Sequence, residues 1–220
     1  FILPALNNSE THKYIGAVSF HSWRGCDDVT LKKWADAAKA INVPLLVGEG
    51  STDAAAHGYA EIFNESTFAL YEINLYTRIC AICQPLSILQ WQLTSDYSLL
   101  WGDGIYGSKG PLRPTQRFWN IKQLASTPAD ALAIPVSSSK KNVNCAAFGN
   151  MVRGEYAVHM VNNGADCEAV ISGIPAEVKK LKVYVTNTKD CMKETAVKVE
   201  NGLVRVHLPA ISFITLLSDK

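Results

Sequence analysis

Val43-Pro44-Leu45-Leu46-Val47-Gly48-Glu49-Gly50 is the stretch whose reading decides the fold. Val43–Val47 contains no polar residue, as expected of a short strand covered on both faces. An acidic side chain that closes such a strand between two glycines faces the mouth of a sheet rather than open solvent. Upstream, Tyr14–Phe20 (YIGAVSF) predicts another buried strand. Asp28 or Thr30 can cap the helix between them, in which Leu31, Trp34, Ala35, Ala38 and Ile41 share one face. Downstream, Ser66 to Cys83 predicts a long helix, apolar around most of its circumference and closed by Pro85. Ser87–Leu93 (SILQWQL) follows as a third strand. A last helix begins near Pro114 at its first position and carries Phe118, Trp119, Ile121 and Leu124. The order βαβαβα implies parallel strands joined by right-handed crossovers.

Beyond the polar segment Ser137-Ser138-Ser139-Lys140-Lys141-Asn142 the texture changes. Short alternating runs at 143–148, 155–162, 167–172, 181–187, 195–199, 203–208 and 212–217 predict an antiparallel β-sandwich. Asn162-Asn163-Gly164 and Asn201-Gly202 read as hairpin turns. Tyr156, Val158 and Met160 alternate with Glu155, Ala157 and His159, and Leu181, Val183 and Val185 share a face, as in half-buried strands. The fold class is therefore α/β followed by all-β, divided at 1–130 and 131–220.

Composition narrows the function classes. Of 220 residues 48% are hydrophobic and 19% charged, with a formal net charge of +1. That balance provides no strong field for nucleic acid or an anionic membrane, so neither is expected as a partner. No apolar run reaches the roughly 18 residues that span a bilayer. The chain opens on Phe1, with no basic segment and apolar core behind it, which reads as a processed or excised start. The six cysteines lack the spacing of a zinc site. Cys80 and Cys83 sit within the long helix and read as buried thiols; Cys167 and Cys191 leave pairing open. His12, His57, His159 and His207 form no metal-binding group, and no metal or cofactor is expected. GxSxG, P-loop and GxGxxG motifs are absent. Asn7-Asn8-Ser9 and Asn64-Glu65-Ser66 match the N-glycosylation pattern.

Parallel α/β proteins place chemistry at the carboxyl ends of their strands. Those positions hold Ser19-Phe20-His21-Ser22-Trp23, then Gly48-Glu49-Gly50, then Gln90-Trp91-Gln92 leading to Asp96 and Tyr97. A carboxylate there can stabilise or attack an anomeric carbon with oxocarbenium character. The same pattern fits an ion-paired carboxylate at a strand end or an N-cap partner for the next helix. Trp91 offers a flat apolar face to a sugar ring, or fills a core. His21 can hold a neighbouring carboxylate by hydrogen bond, or be satisfied within the protein.

In order and spacing these residues resemble clan A retaining glycoside hydrolases, most closely glycoside hydrolase family 30, over nearly the whole chain. SFHSW at 19–23 is similar to the end of barrel strand 6, LLVGEG at 45–50 to strand 7, and LQWQL to strand 8. RFWNIKQLAS at 117–126 resembles the last barrel helix, and LPAISFITLL at 208–217 the final strand of the β-sandwich. The resemblance implies the last three βα units of a TIM barrel, (β/α)₈, with Glu49 as nucleophile. His21 and Trp23 would orient Glu49, Trp91 would stack on the sugar, and Asp96 or Tyr97 would bind hydroxyls of a carbohydrate substrate. It also implies an extracellular or periplasmic setting.

One departure stands out. The clan's general acid/base lies at the end of strand 4, upstream of Phe1, and Glu10, Glu61, Glu65 and Glu72 are poor substitutes on loops or helices. A retaining mechanism needs two carboxyl groups about 5–5.5 Å apart. The expectation is thus an inactive C-terminal portion, 1–126 being stable only against a missing N-terminal barrel segment or another chain. A non-catalytic carbohydrate-binding or scaffold fragment is the alternative.

Overall fold

Each parallel strand forms where an apolar run meets a helix that can cover it. The computed structural model describes residues 2–53, 58–95 and 97–218. Two single-turn helices, α1 (Leu3–Leu6) and α2 (Ser9–His12), precede β1 (Val18–His21). β1 is shorter than the predicted Tyr14–Phe20. Tyr14 is exposed, and pairing starts where the Val18 N–H reaches the Pro44 carbonyl at 2.9 Å. Asp27 caps α3 (Asp28–Ala40) by accepting from the Thr30 N–H at 3.0 Å. Leu31 and Ala38 form its buried stripe, with Trp34 and Ile41 packed beside them.

β2 (Leu45–Gly50) begins two residues later than predicted, because the Val43 N–H is bound to the Ala38 carbonyl of α3 at 3.1 Å. α4 (Ser66–Cys83) has the predicted limits; Gln84 leaves it in a left-handed conformation ahead of Pro85. β3 (Ser87–Gln90) stops short of Leu93; the Trp91–Gln92 peptide just after it is cis. Pro114 does not start the last helix. It belongs to β5 (Arg113–Pro114), paired with β4 (Leu100–Trp101), and Thr115 precedes α5 (Gln116–Leu124).

β1, β2 and β3 make one parallel sheet with β2 in the middle. Val18, Phe20, Leu45 and Val47 pack with Leu31, Ile73 and Ile79 of α3 and α4 in one core. Beside the outer edge of β3 an apolar hollow of about 290 Å³ is lined by Tyr76, Ile88, Ile121, Leu124 and Phe148.

The remaining strands are β6 (Leu132–Ile134), β7 (Val143–Asn150), β8 (Glu155–Asn162), β9 (Cys167–Ser172), β10 (Lys180–Thr186), β11 (Lys193–Lys198), β12 (Leu203–Leu208) and β13 (Ser212–Ser218). Six run in the order β11-β10-β13-β8-β7-β6, and β9 pairs with β12 alone. Asn201-Gly202 makes the predicted hairpin turn, Glu200 and Leu203 exchanging both backbone hydrogen bonds at 2.9 Å, although β11 and β12 then belong to different sheets. The hairpin predicted at Asn162-Asn163-Gly164 is corrected: β8 and β9 do not pair, and the chain crosses there from one sheet into the other. At that crossing the Asn162 amide donates to the carbonyls of Ala165, Leu208 and Pro209, supplying bonds that no strand partner provides. Turn chemistry fixes a local reversal, not the sheet that receives the next strand.

The middle strands β8 and β13 are covered on both faces, which corrects the half-buried reading of β8, whereas β10 buries Leu181 and Val183 as predicted and β11 is largely exposed. Met160, Leu181, Val183, Ile214 and Leu216 share a core with Val204, Val206 and Leu208 of β12. On the other face Val161 and Phe213 join the core of α3, α4 and the parallel sheet. The Gln123 amide of α5 donates to the carbonyl of Phe213 and the hydroxyl of Thr215, and its oxygen accepts from Thr186. His159 is fully buried between the hydroxyls of Thr127 and Thr215 at 2.8 and 2.9 Å. Burial pushes its pKa down to about 3.

Cys80 and Cys83 are buried free thiols pushed up to about 12 by burial, and Cys167 and Cys191 are also free. Among the described residues no helix is long and apolar enough to cross a membrane, and no group of three or more His, Cys, Asp or Glu is placed to hold a metal ion.

Candidate active site

A strand with an uninterrupted period of two would place Glu49 on the face of Leu45 and Val47, packed against the helices. β2 breaks that period. Phe20 pairs with Val47 but His21 with Glu49, and Val47 pairs with Ile88 but Gly50 with Gln90. Relative to both neighbours one residue is extra, a β-bulge at Gly48-Glu49. The buried face accordingly passes from Leu45 and Val47 to Gly50, and Glu49 moves to the opposite, partly open face. The flanking glycines permit this. A Cβ on Gly50 would lie 2.7 Å from Ile88 and 2.8 Å from the Tyr76 hydroxyl, and one on Gly48 would lie 2.7 Å from the Ser19 hydroxyl.

On the open face Glu49 meets Trp23 and His21 from the end of β1. The indole Nε1–H of Trp23 donates to Oε2 at 2.9 Å, and His21 Nδ1 lies 3.3 Å from the same oxygen. Glu49 Oε1 has no hydrogen-bond partner among the described residues. The Glu49 side chain is 30% exposed and that of His21 54%. The Ser22 N–H extends the pairing by donating to the Glu49 carbonyl at 3.0 Å.

Trp91 leaves the adjacent strand with its N–H on the Gly50 carbonyl at 2.7 Å, and its side chain is partly exposed. Tyr97 sets its ring edge-on to Trp23, with centroids 4.7 Å apart. The structure therefore groups Glu49, His21, Trp23 and Tyr97 in contact and sets Trp91 beside Gly50. Asp96 lies outside the described residues.

Sequence reasoning missed the layer beneath. Glu72 of α4 and Arg117 of α5 form a buried pair, with side chains 1% and 0% exposed and Nη2 to Oε1 at 2.8 Å. Glu72 Oε1 also accepts from the Ser51 hydroxyl at 2.9 Å and the Gln90 amide at 3.3 Å. Arg117 Nη1 donates to the carbonyls of Tyr97 and Ser98 at 3.0 and 2.8 Å, and the guanidinium lies about 5 Å from the ring centroids of both Phe63 and Phe68. Burial, then the Glu72 carboxylate, pushes the neighbouring Tyr76 phenol well above its usual range. An acidic residue within the apolar α4 was the one available signal.

No family model and no curated protein sequence matches the chain. Solved structures do. A GH30 endoxylanase from Clostridium papyrosolvens C71 matches with a TM-score of 0.79 at 14% identity, over 99% of this chain and 52% of its own. The glycoside hydrolase family 30 subfamily 8 xylanase Xyn30A from Clostridium acetobutylicum matches with a TM-score of 0.78 at 14% identity, over 100% and 52%. A conserved exported protein from Bacteroides fragilis matches with a TM-score of 0.67 at 14% identity, over 92% and 46%. The chain spans about half the length of these structures, and its fold is that of a C-terminal part of a family 30-like glycoside hydrolase.

Proposed function

We propose that this chain is part of a retaining glycoside hydrolase acting on a β-linked glycan. Residues 1–130 would supply the last three βα units of a (β/α)₈ barrel and 131–220 a β-sandwich. The observation that carries this reading is the bulge that turns Glu49 to the open face, where the Trp23 indole donates to one carboxylate oxygen beside His21 and the other is left for attack. In the proposed reaction Oε1 bonds to the anomeric carbon as the glycosidic bond breaks. A carboxylic acid from the remainder of the barrel protonates the leaving oxygen. That same group then takes a proton from the water that releases the sugar and regenerates Glu49. His21 and Trp23 hold the nucleophile, Trp91 stacks on a sugar ring, and Tyr97 binds sugar hydroxyls. Glu72 is not the second carboxyl group, because Arg117, Ser51 and Gln90 occupy it below the surface.

The open edge of β3 and the hollow beside it suit a further barrel strand, from the same protein or another chain. The xylanase and exported-protein neighbours support a carbohydrate substrate and a secreted setting. Glu49→Gln in the full-length protein is expected to lower turnover by about 10³-fold or more while oligosaccharide binding persists. Retained turnover would end the assignment.

Binding without cleavage is the second reading, favoured by the sequestration of Glu72. Calorimetric titration with xylo-oligosaccharides beside an activity assay separates the two.

A further inference from the structure

We propose that the buried Arg117–Glu72 pair is a positioning device for Glu49; the inference rests on the reading of Glu49 as nucleophile. A buried ion pair is weak support for stability, because well-packed apolar residues often serve as well or better. Its retention here calls for a role that apolar residues would not fill. The pair meets three separate pieces of the site. Through Glu72 it holds the Ser51 hydroxyl, two residues past Glu49, and the Gln90 amide at the end of β3. Through Arg117 it holds the carbonyls of Tyr97 and Ser98.

Two routes lead from these pieces to the carboxylate. Tyr97 packs on Trp23, and the Trp23 indole donates to Glu49. The Ser51 backbone is tied to the Ser22 hydroxyl in both directions, and Ser22 N–H binds the Glu49 carbonyl. Arg117 presents a planar fork to a carboxylate and two carbonyls at once, which a lysine ammonium does not reproduce. Its role is geometric: it fixes the bulged strand end and the indole that aims Oε2.

The test uses the full-length protein labelled with 5-fluorotryptophan, the Trp23 resonance being assigned by Trp23→Phe. Arg117→Lys keeps the charge and removes the fork; Ser51→Ala removes one link. Both are expected to broaden or split the Trp23 line while leaving that of Trp34, which stacks on Phe20 in the core below. With dinitrophenyl β-xylobioside as substrate, kcat is expected to fall roughly 30- to 100-fold in Arg117→Lys with KM within about threefold. Should Arg117→Lys not fold, Ser51→Ala carries the same readout. An unaltered Trp23 line in the folded variants overturns the proposal, as does a change that spreads equally to Trp34. If Glu49→Gln leaves turnover intact the hydrolase reading fails, while the Trp23 line still decides the geometry.

Discussion

β2 and β13 are both central strands with apolar sequences, yet one ends at the candidate site and the other carries no polar group near it. In β13 successive side chains enter two different cores, Phe213 toward the helices and Ile214 and Leu216 toward β12. Phe213, Ile214 and Leu216 are fully buried, and Thr215 between them is spent on Gln123 and His159. In β2 one face packs on the helices, and a single extra residue frees Glu49 for the other. A strand covered on both sides stabilises; a strand covered on one side, with its period broken at the end, presents chemistry.

Three measurements break or sharpen that contrast. Phe213→Ala should cost about 3–5 kcal/mol in urea unfolding, because a fully buried ring is lost from a core shared by both halves. A cost below about 1 kcal/mol would mean that the two cores are not joined as described. The buried His159 comes next. Its folded pKa lies below its unfolded one, so its contribution is fully present above the unfolded value of about 6.5 and is lost as pH falls toward about 3. The slope approaches about 1.4 kcal/mol per pH unit. Between pH 6.5 and 5 the urea midpoint of His159→Gln should therefore fall less than that of the parent; parallel curves would refute the assignment. The smallest stability effect belongs to the strand ends. Trp91→Ala should change unfolding by less than about 0.5 kcal/mol. Its affinity for xylo-oligosaccharides should drop by roughly tenfold. A large loss of stability without loss of binding would make Trp91 a core residue.

How much of this was legible follows the range of the forces involved. α4 was readable to the residue, since its apolar surface ends where Gln84 and Pro85 end it. The limits of β8, β9 and β12 were likewise local. The candidate nucleophile stood out because an acid between glycines after an apolar strand is a local anomaly. Sheet membership was not local: Asn201 and Gly202 make a tight reversal whichever sheet receives β12. The bulge at Gly48-Glu49 was hidden because it is defined only against β1 and β3. Arg117 reads as a surface cation in RFWNIKQL. Its burial comes from Phe63, Phe68 and Glu72, at least 45 positions away in sequence.

The six-stranded sheet acts as a party wall. A cut through the connection after α5 would strip Val161 and Phe213 of the helices that cover them, and would strand the Gln123 amide away from the carbonyl and hydroxyls it engages. Neither piece would hold a replacement for the other, so the two are expected to melt together.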